Sequence, residues 1–173
     1  MNILFVDPSM HSSGLYEIQD DARISETFKT DLDHIEALGA IARFFGEQAK
    51  MYDALVIEDY AFSRASQSVS KNGEVGGIIR GCFAYYGKPV VEVGISTWKS
   101  VCNFRMKKDT VKAKKAYIDE AYNRYGIRFD SPDACDAYML YYACKKILNH
   151  EAKDTEATAR LWVRLNAVGI DTL

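Results

Sequence analysis

The chain lacks any apolar run approaching the ~18 residues that a membrane-spanning helix requires, so no membrane partner is expected. Its opening, Met1-Asn2-Ile3-Leu4-Phe5-Val6-Asp7, has no basic region and meets an acid too early for a secretory signal, and a cytoplasmic protein is expected. Cysteine is sparse. Cys82, Cys102, Cys135 and Cys144 stand 20, 33 and 9 residues apart, a spacing that matches no zinc pattern and no secreted disulfide framework. Reduced thiols, mostly in the core, are expected instead. Internal repeats, linkers and low-complexity stretches are absent too. What is there is ordinary for a folded domain: 48% hydrophobic and 27% charged residues, which excludes disordered and collagen-like chains. At 173 residues, the chain is one compact domain.

The formal net charge is only −2, which on an even distribution would argue against nucleic acid as a partner. The distribution is uneven. Between Tyr16 and Asp59 eleven acids face four bases, whereas from Lys99 to Lys115 seven bases (Lys99, Arg105, Lys107, Lys108, Lys112, Lys114, Lys115) face Asp109 alone. A basic segment of this density is either a phosphate-binding footprint or a solvated helix face.

The apolar run Ile3-Leu4-Phe5-Val6, stopped by Asp7-Pro8-Ser9, predicts a strand and a turn. Gly14–Ile18 alternates at period two and Arg23–Lys29 looks extended, giving an antiparallel meander of three strands. Asp31 or Asp33 caps a helix with apolar positions Ile35, Leu38, Ile41, Ala42, Phe45 and Ala49, ending near Met51. Ala54-Leu55-Val56-Ile57 reads as a strand buried on both faces. A polar loop, Ser63 to Ser70, a helix from about Asn72 to Tyr86 and a strand Pro89–Val93 follow, the alternation of a parallel crossover. Further helices are expected from about Asp109 to Tyr125, from Ser131-Pro132-Asp133 to about Leu148, with Ser as cap and Pro at the first helical position, and from Glu151 to the end. On that last helix Ala159, Trp162, Val163, Leu165 and Ala167 are apolar, and Gly169 ends it.

Three meander strands, a helix, then parallel strands interleaved with helices predict an α/β protein: a mixed five-stranded sheet flanked by helices, in the order of the ribonuclease H-like fold. Residues 1–150 form this core and residues 151–173 a helical extension of the same domain. A fold does not fix a function, so the acids carry the argument. Asp7 ends the first strand and Glu58 the fourth, while Asp133 and Asp136 sit three apart on one helix face. Each has a bland explanation: Asp before Pro is a common turn residue, and an acid in a helix's first turn is favoured by the dipole. Glu58 resists one, because a charge ending an apolar strand must be solvated or paired. Asp136 lies a full turn into an otherwise apolar helix. If strands one and four are neighbours and that helix packs beside them, the four carboxylates converge.

Clustered carboxylates without histidine or cysteine suit a hard ion, Mg²⁺ or Mn²⁺ rather than zinc. Two such ions about 3.5–4 Å apart activate a water and stabilise the leaving oxygen in phosphodiester cleavage. The basic segment supplies the countercharge for such a substrate.

These stretches resemble the RuvC-type Holliday junction resolvases. The matching elements are Ile3-Leu4-Phe5-Val6-Asp7-Pro8-Ser9 with Gly14 after it, Ala54-Leu55-Val56-Ile57-Glu58-Asp59-Tyr60-Ala61-Phe62, Lys99 with Lys108-Asp109-Thr110-Val111, and Asp133-Ala134-Cys135-Asp136-Ala137. The resemblance covers about residues 1 to 148 and implies a metal-dependent endonuclease on branched DNA, with two Mg²⁺ or Mn²⁺ ions, usually a homodimer nicking two strands symmetrically. It implies metal ligation by Asp7, Glu58 and Asp136, with Asp133 a fourth ligand or activator of the water. It places Lys108, and with it Lys99, near the scissile phosphate, and Phe62 or Tyr60 stacked on opened bases; ordinary packing explains those aromatics equally well, and Arg105, Lys107 and Lys112 are expected on DNA from the charge of the basic segment alone. It also implies dimerisation through the following helix, where Gly73, Gly77 and Gly81 permit close approach either of another helix or of the protein's own sheet.

The chain departs from the family's pattern at Ser9, where glycine is usual, and at Val101-Cys102-Asn103-Phe104, where glycines are expected between the two lysines. The tail from about Glu151 lies beyond the match. The divergence points to a compact viral or phage version acting also on forks and flaps. Two other readings stay open: a nuclease of the same fold acting on RNA or an RNA/DNA hybrid, and a non-catalytic structure-specific DNA-binding protein. An actin-like ATPase would need a duplicated domain for which the chain is too short.

Overall fold

The computed structural model describes residues 1–19, 22–59, 67–104 and 110–173. Five strands, β1 (Ile3–Asp7), β2 (Ser12–Gln19), β3 (Ala22–Lys29), β4 (Ala54–Asp59) and β5 (Val90–Gly94), form one sheet in the order β3-β2-β1-β4-β5. The β1/β2 and β2/β3 pairs are antiparallel, and β1/β4 and β4/β5 are parallel. This is the mixed sheet read from the sequence. The helices are α1 (His34–Met51), α2 (Gln67–Tyr85), α3 (Ile95–Cys102), α4 (Val111–Tyr125), α5 (Pro132–Leu148) and α6 (Glu156–Ala167).

Successive residues of a strand point to opposite faces, and here both faces are covered. Leu4 and Val6 of β1, with Leu55 and Ile57 of β4, pack under α1 and α2 against Ile41, Phe45, Ile79 and Phe83. Ile3 and Phe5, with Ala54 and Val56, pack on the other side under α5, beside Trp98 and Tyr117. Burial on both sides is why β1 and β4 read as continuous apolar runs rather than alternating ones.

Several helix ends are set by their own residues. Thr110 accepts from the Ala113 amide at 3.1 Å at the start of α4, and Gly126, at φ 71°, closes that helix. Ser131 caps α5 with Pro132 in its first turn, as expected. Cys102, Cys135 and Cys144 are buried and Cys82 half-buried, all four as free thiols.

Four details correct the sequence reading. Helix α3 was not anticipated: its eight residues carry too short an apolar pattern to stand out beside the basic segment. Helix α2 begins at Gln67 rather than near Asn72, since a serine-rich stretch is polar without being a helix breaker. Helix α6 begins at Glu156, not Glu151, because Thr155 and Thr158 cap each other reciprocally there. Its inward face is Thr158, Leu161 and Leu165, while Trp162 and Val163 are exposed; likewise on α1 the inward face is Ala37, Ile41, Phe45 and Ala49, with Ile35 outside. Beyond α6, Gly169 adopts φ 78° and Ile170 donates back to the Leu165 carbonyl at 2.9 Å, so the helix ends where glycine permits a left-handed residue.

Gly73, Gly77 and Gly81 do not serve close packing on the protein's own sheet. They are exposed on α2, and a Cβ at any of them would meet nothing within 4 Å among the described residues.

Candidate active site

Strands β1 and β4 run parallel, register Val6 with Ile57, and each ends in an acid at the same edge of the sheet. Carried one residue further, the register sets Asp7 beside Glu58. Alternation puts both on one face: Asp7 continues the phase of Ile3 and Phe5, and Glu58 that of Ala54 and Val56, all on the side covered by α5.

The first turn of α5 comes onto this edge through Gly14, which pairs with Asp7 across the β1/β2 ladder. A Cβ on Gly14 would stand 1.9 Å from the Asp133 carbonyl oxygen, so only a residue without a side chain lets the helix lie this close. The cap holds the same turn in place. Ser131 Oγ accepts from the Ala134 amide at 3.0 Å and lies 2.7 Å from Thr27 Oγ1 on β3. Asp133 and Asp136, three residues apart, share a helix face, and Asp136 is buried at 6% exposure, as is Glu58.

Asp133, Glu58 and Asp136 each accept from a side-chain donor. Ser12 Oγ donates to Asp133 Oδ2 at 2.6 Å, and Trp98 Nε1 of α3 donates to Glu58 Oε2 at 2.6 Å. The Tyr117 hydroxyl of α4 donates to Asp136 Oδ1. That phenol is pushed far above the usual tyrosine range, first by burial and then by the negative charge of Asp136, with Asp7 also contributing. Nearby, burial raises the Cys102 thiol to about 12, with Lys146 lowering it and Asp136 adding to the rise, so that thiol stays protonated and unreactive.

The donor set at this edge consists of carboxylate oxygens without imidazole or thiolate, the chemistry that a hard divalent cation takes. In that respect the residues fit Mg²⁺ or Mn²⁺. Among the described residues no three His, Cys, Asp or Glu side chains stand close enough together to hold an ion as they are. As they stand, Asp133, Glu58 and Asp136 accept from Ser12, Trp98 and Tyr117.

Of the basic residues, Lys99 is half-buried with its ammonium 5.1 Å from the centroid of the Trp98 ring, a cation–π distance that puts it next to the indole serving Glu58. Lys112, Lys114 and Lys115 are exposed on the first turns of α4. Arg105, Lys107, Lys108, Tyr60 and Phe62 lie outside the described residues. Trp98, Tyr117 and Ser12 escaped the sequence reading, because nothing in their local spacing says which distant carboxylate they meet.

No protein-family model and no curated protein sequence matches the chain. Solved structures do. RuvC of Thermus thermophilus in complex with a Holliday junction substrate superposes with a TM-score of 0.63 at 18% identity, over 88% of this chain and 98% of that one. A second Thermus thermophilus RuvC structure gives 0.60 at 18% identity over 88% and 99%. The fowlpox virus Holliday junction resolvase aligns more loosely, with a TM-score of 0.46 at 15% identity over 86% and 99%. The chain thus has the ribonuclease H-like fold predicted from the order of its elements, and it is similar to RuvC along nearly the whole of RuvC's length.

Proposed function

We propose that the chain is a metal-dependent, structure-specific endodeoxyribonuclease that nicks four-way DNA junctions, and forks and flaps as well, in recombination, repair or debranching. What supports this reading is the β1/β4 register, which sets Asp7 beside Glu58 on the face under α5, with the Asp133 turn of α5 packed against Gly14 at the same end of the sheet. The RuvC-like fold supports it.

In this reading Asp7, Glu58 and Asp136 hold Mg²⁺ or Mn²⁺, with Asp133 a fourth ligand or orienting the attacking water. When bound, the ions supply a water of lowered pKa and a countercharge for the leaving oxygen. Lys99, Lys108 and the other bases of the 99–115 segment neutralise phosphates; such contacts position the substrate without reading its sequence. Tyr60 or Phe62 stacks on an opened base. The protein works as a homodimer, and the open outer face of α2 around Gly73, Gly77 and Gly81 supports that assembly.

The test is incubation of the full chain with labelled four-way junction, Y-fork, linear duplex and RNA/DNA hybrid in Mg²⁺, beside Asp136→Asn. Paired symmetric nicks in the junction, lost in the variant, are the expected result. Cleavage of the hybrid alone would assign the site to RNA, and junction binding with no cleavage would make the protein a structural binder.

A further inference from the structure

The two most deeply buried acids of the site, Glu58 and Asp136, are each met by a large side chain from a helix that carries no site acid. Trp98, fully buried on α3, gives its indole N–H to Glu58, and Tyr117, 2% exposed on α4, gives its hydroxyl to Asp136. An indole nitrogen can only donate, so Trp98 cannot turn to another role while Glu58 stays where it is. Both rings are themselves clamped. Tyr117 packs on Phe104 at 4.8 Å between centroids, edge to face, and α3 is tied to α5 by Cys102, whose thiol donates to the Met139 carbonyl at 3.3 Å.

Burying a carboxylate is costly, and hydrogen bonds from neutral donors offset only part of the cost. Ala134, Cys135, Ala137, Met139 and Leu140 around Asp136 are all buried, so packing alone would favour an apolar residue at 136. An acid kept there with a fixed partner matches the way outer groups orient metal ligands.

We propose that Trp98 and Tyr117 are positioning residues of the carboxylate site, each holding one oxygen of Glu58 or Asp136 and so limiting the orientations from which that carboxylate closes on a cation. This rests on the reading of those two acids as ligands of a divalent cation. Neither residue touches substrate; each acts through its carboxylate.

Tyr117→Phe removes one oxygen and keeps the ring, so it is the deciding variant, with Trp98→Phe as the second. The readouts on the full chain are Mn²⁺ affinity by titration with an electron paramagnetic resonance signal, thermal unfolding without metal, and junction binding in EDTA. For Tyr117→Phe, Mn²⁺ affinity is expected to fall ~10- to 100-fold, with junction binding in EDTA unchanged and cooperative unfolding retained. Trp98→Phe is expected to behave alike. Asp136→Asn is the control. If it loses Mn²⁺ while a folded Tyr117→Phe binds within twofold of the unsubstituted chain, the positioning role is overturned and the metal site stands. If Asp136→Asn also binds normally, the metal-site reading itself fails, and the positioning role with it.

Discussion

Gly14 and the backbone of Asp133 touch across the interface between β2 and α5. A Cβ at Gly14 would lie 1.9 Å from the Asp133 carbonyl oxygen and 2.8 Å from the Ala134 amide nitrogen. Backbone meets backbone there, so neither side can give way by a rotamer change. The position of both helix acids relative to Asp7 therefore depends on the absence of a side chain at residue 14.

Gly14→Ala should move the start of α5 away from the sheet. Overpacking of this kind costs about 1–3 kcal/mol, and denaturant unfolding should show a loss in that range or above it. In the proposed nuclease reading, junction cleavage should fall more steeply than stability, because Asp133 and Asp136 move together. A variant with native stability and full activity would show that α5 does not depend on this contact.

Ser131→Ala should cost about 1 kcal/mol by removing the cap of α5, and the Thr27 hydroxyl loses a partner as well. Ser131→Asp, which restores an acceptor for the Ala134 amide, should recover most of the loss. Thermal unfolding of the two variants side by side makes the comparison; equal melting temperatures for them would argue against the cap.

Glu17 on β2 is buried, accepts the Tyr52 hydroxyl, and has its carboxyl pushed above the usual range, chiefly by burial, with the Tyr52 hydrogen bond opposing and Glu26 adding to the rise. The folded state therefore holds this proton more tightly than the unfolded chain. Stability contributed by the group is complete below the unfolded value near 4.5 and is lost as pH rises through the higher folded value. Glu17→Gln, which stays neutral and can still accept from Tyr52, should gain stability relative to the unsubstituted chain as pH goes from 4 to 8. Denaturation midpoints across that range test this, and a constant difference between the two proteins would refute it.

On the proposed metal-site reading, Mg²⁺ should stabilise the folded chain by about 2.7 kcal/mol at a concentration one hundred times the dissociation constant. Asp7→Asn should abolish most of that gain and reduce junction cleavage by more than the ~10–100-fold that loss of an outer partner costs, while junction binding in EDTA persists. Melting temperature against Mg²⁺ concentration is the measurement; equal stabilisation of both proteins would remove Asp7 from the site.

Much of this was legible in the chain. Ile3–Val6 and Ala54–Ile57 announce two-sided burial, and Ser131-Pro132 announces a helix start, because strand burial and helix capping are local consequences of residue type. Glu58 and Asp136 stand out for a similar reason, since one ends an apolar strand and the other interrupts an apolar helix, whereas Asp7 before Pro8 and Asp133 in a helix's first turn each have an ordinary local explanation. Helix α3 was missed because eight residues give too little periodicity, and the inward face of α6 was misjudged because Trp162 and Val163 are apolar yet exposed.

The succession of the five strands and the longer helices, and which acids stand at their ends, follow from residue type over short spans, since periodicity, caps and turns act over a few residues. The packing of distant elements sets the rest: Asp7 and Glu58 share a face, Gly14 lets Asp133 come against β2, and Trp98 and Tyr117 donate to Glu58 and Asp136. The Trp98 and Tyr117 pairings join residues 40 and 19 positions apart. They arise from how whole elements pack, and the residue types at either end do not encode which partner they will meet.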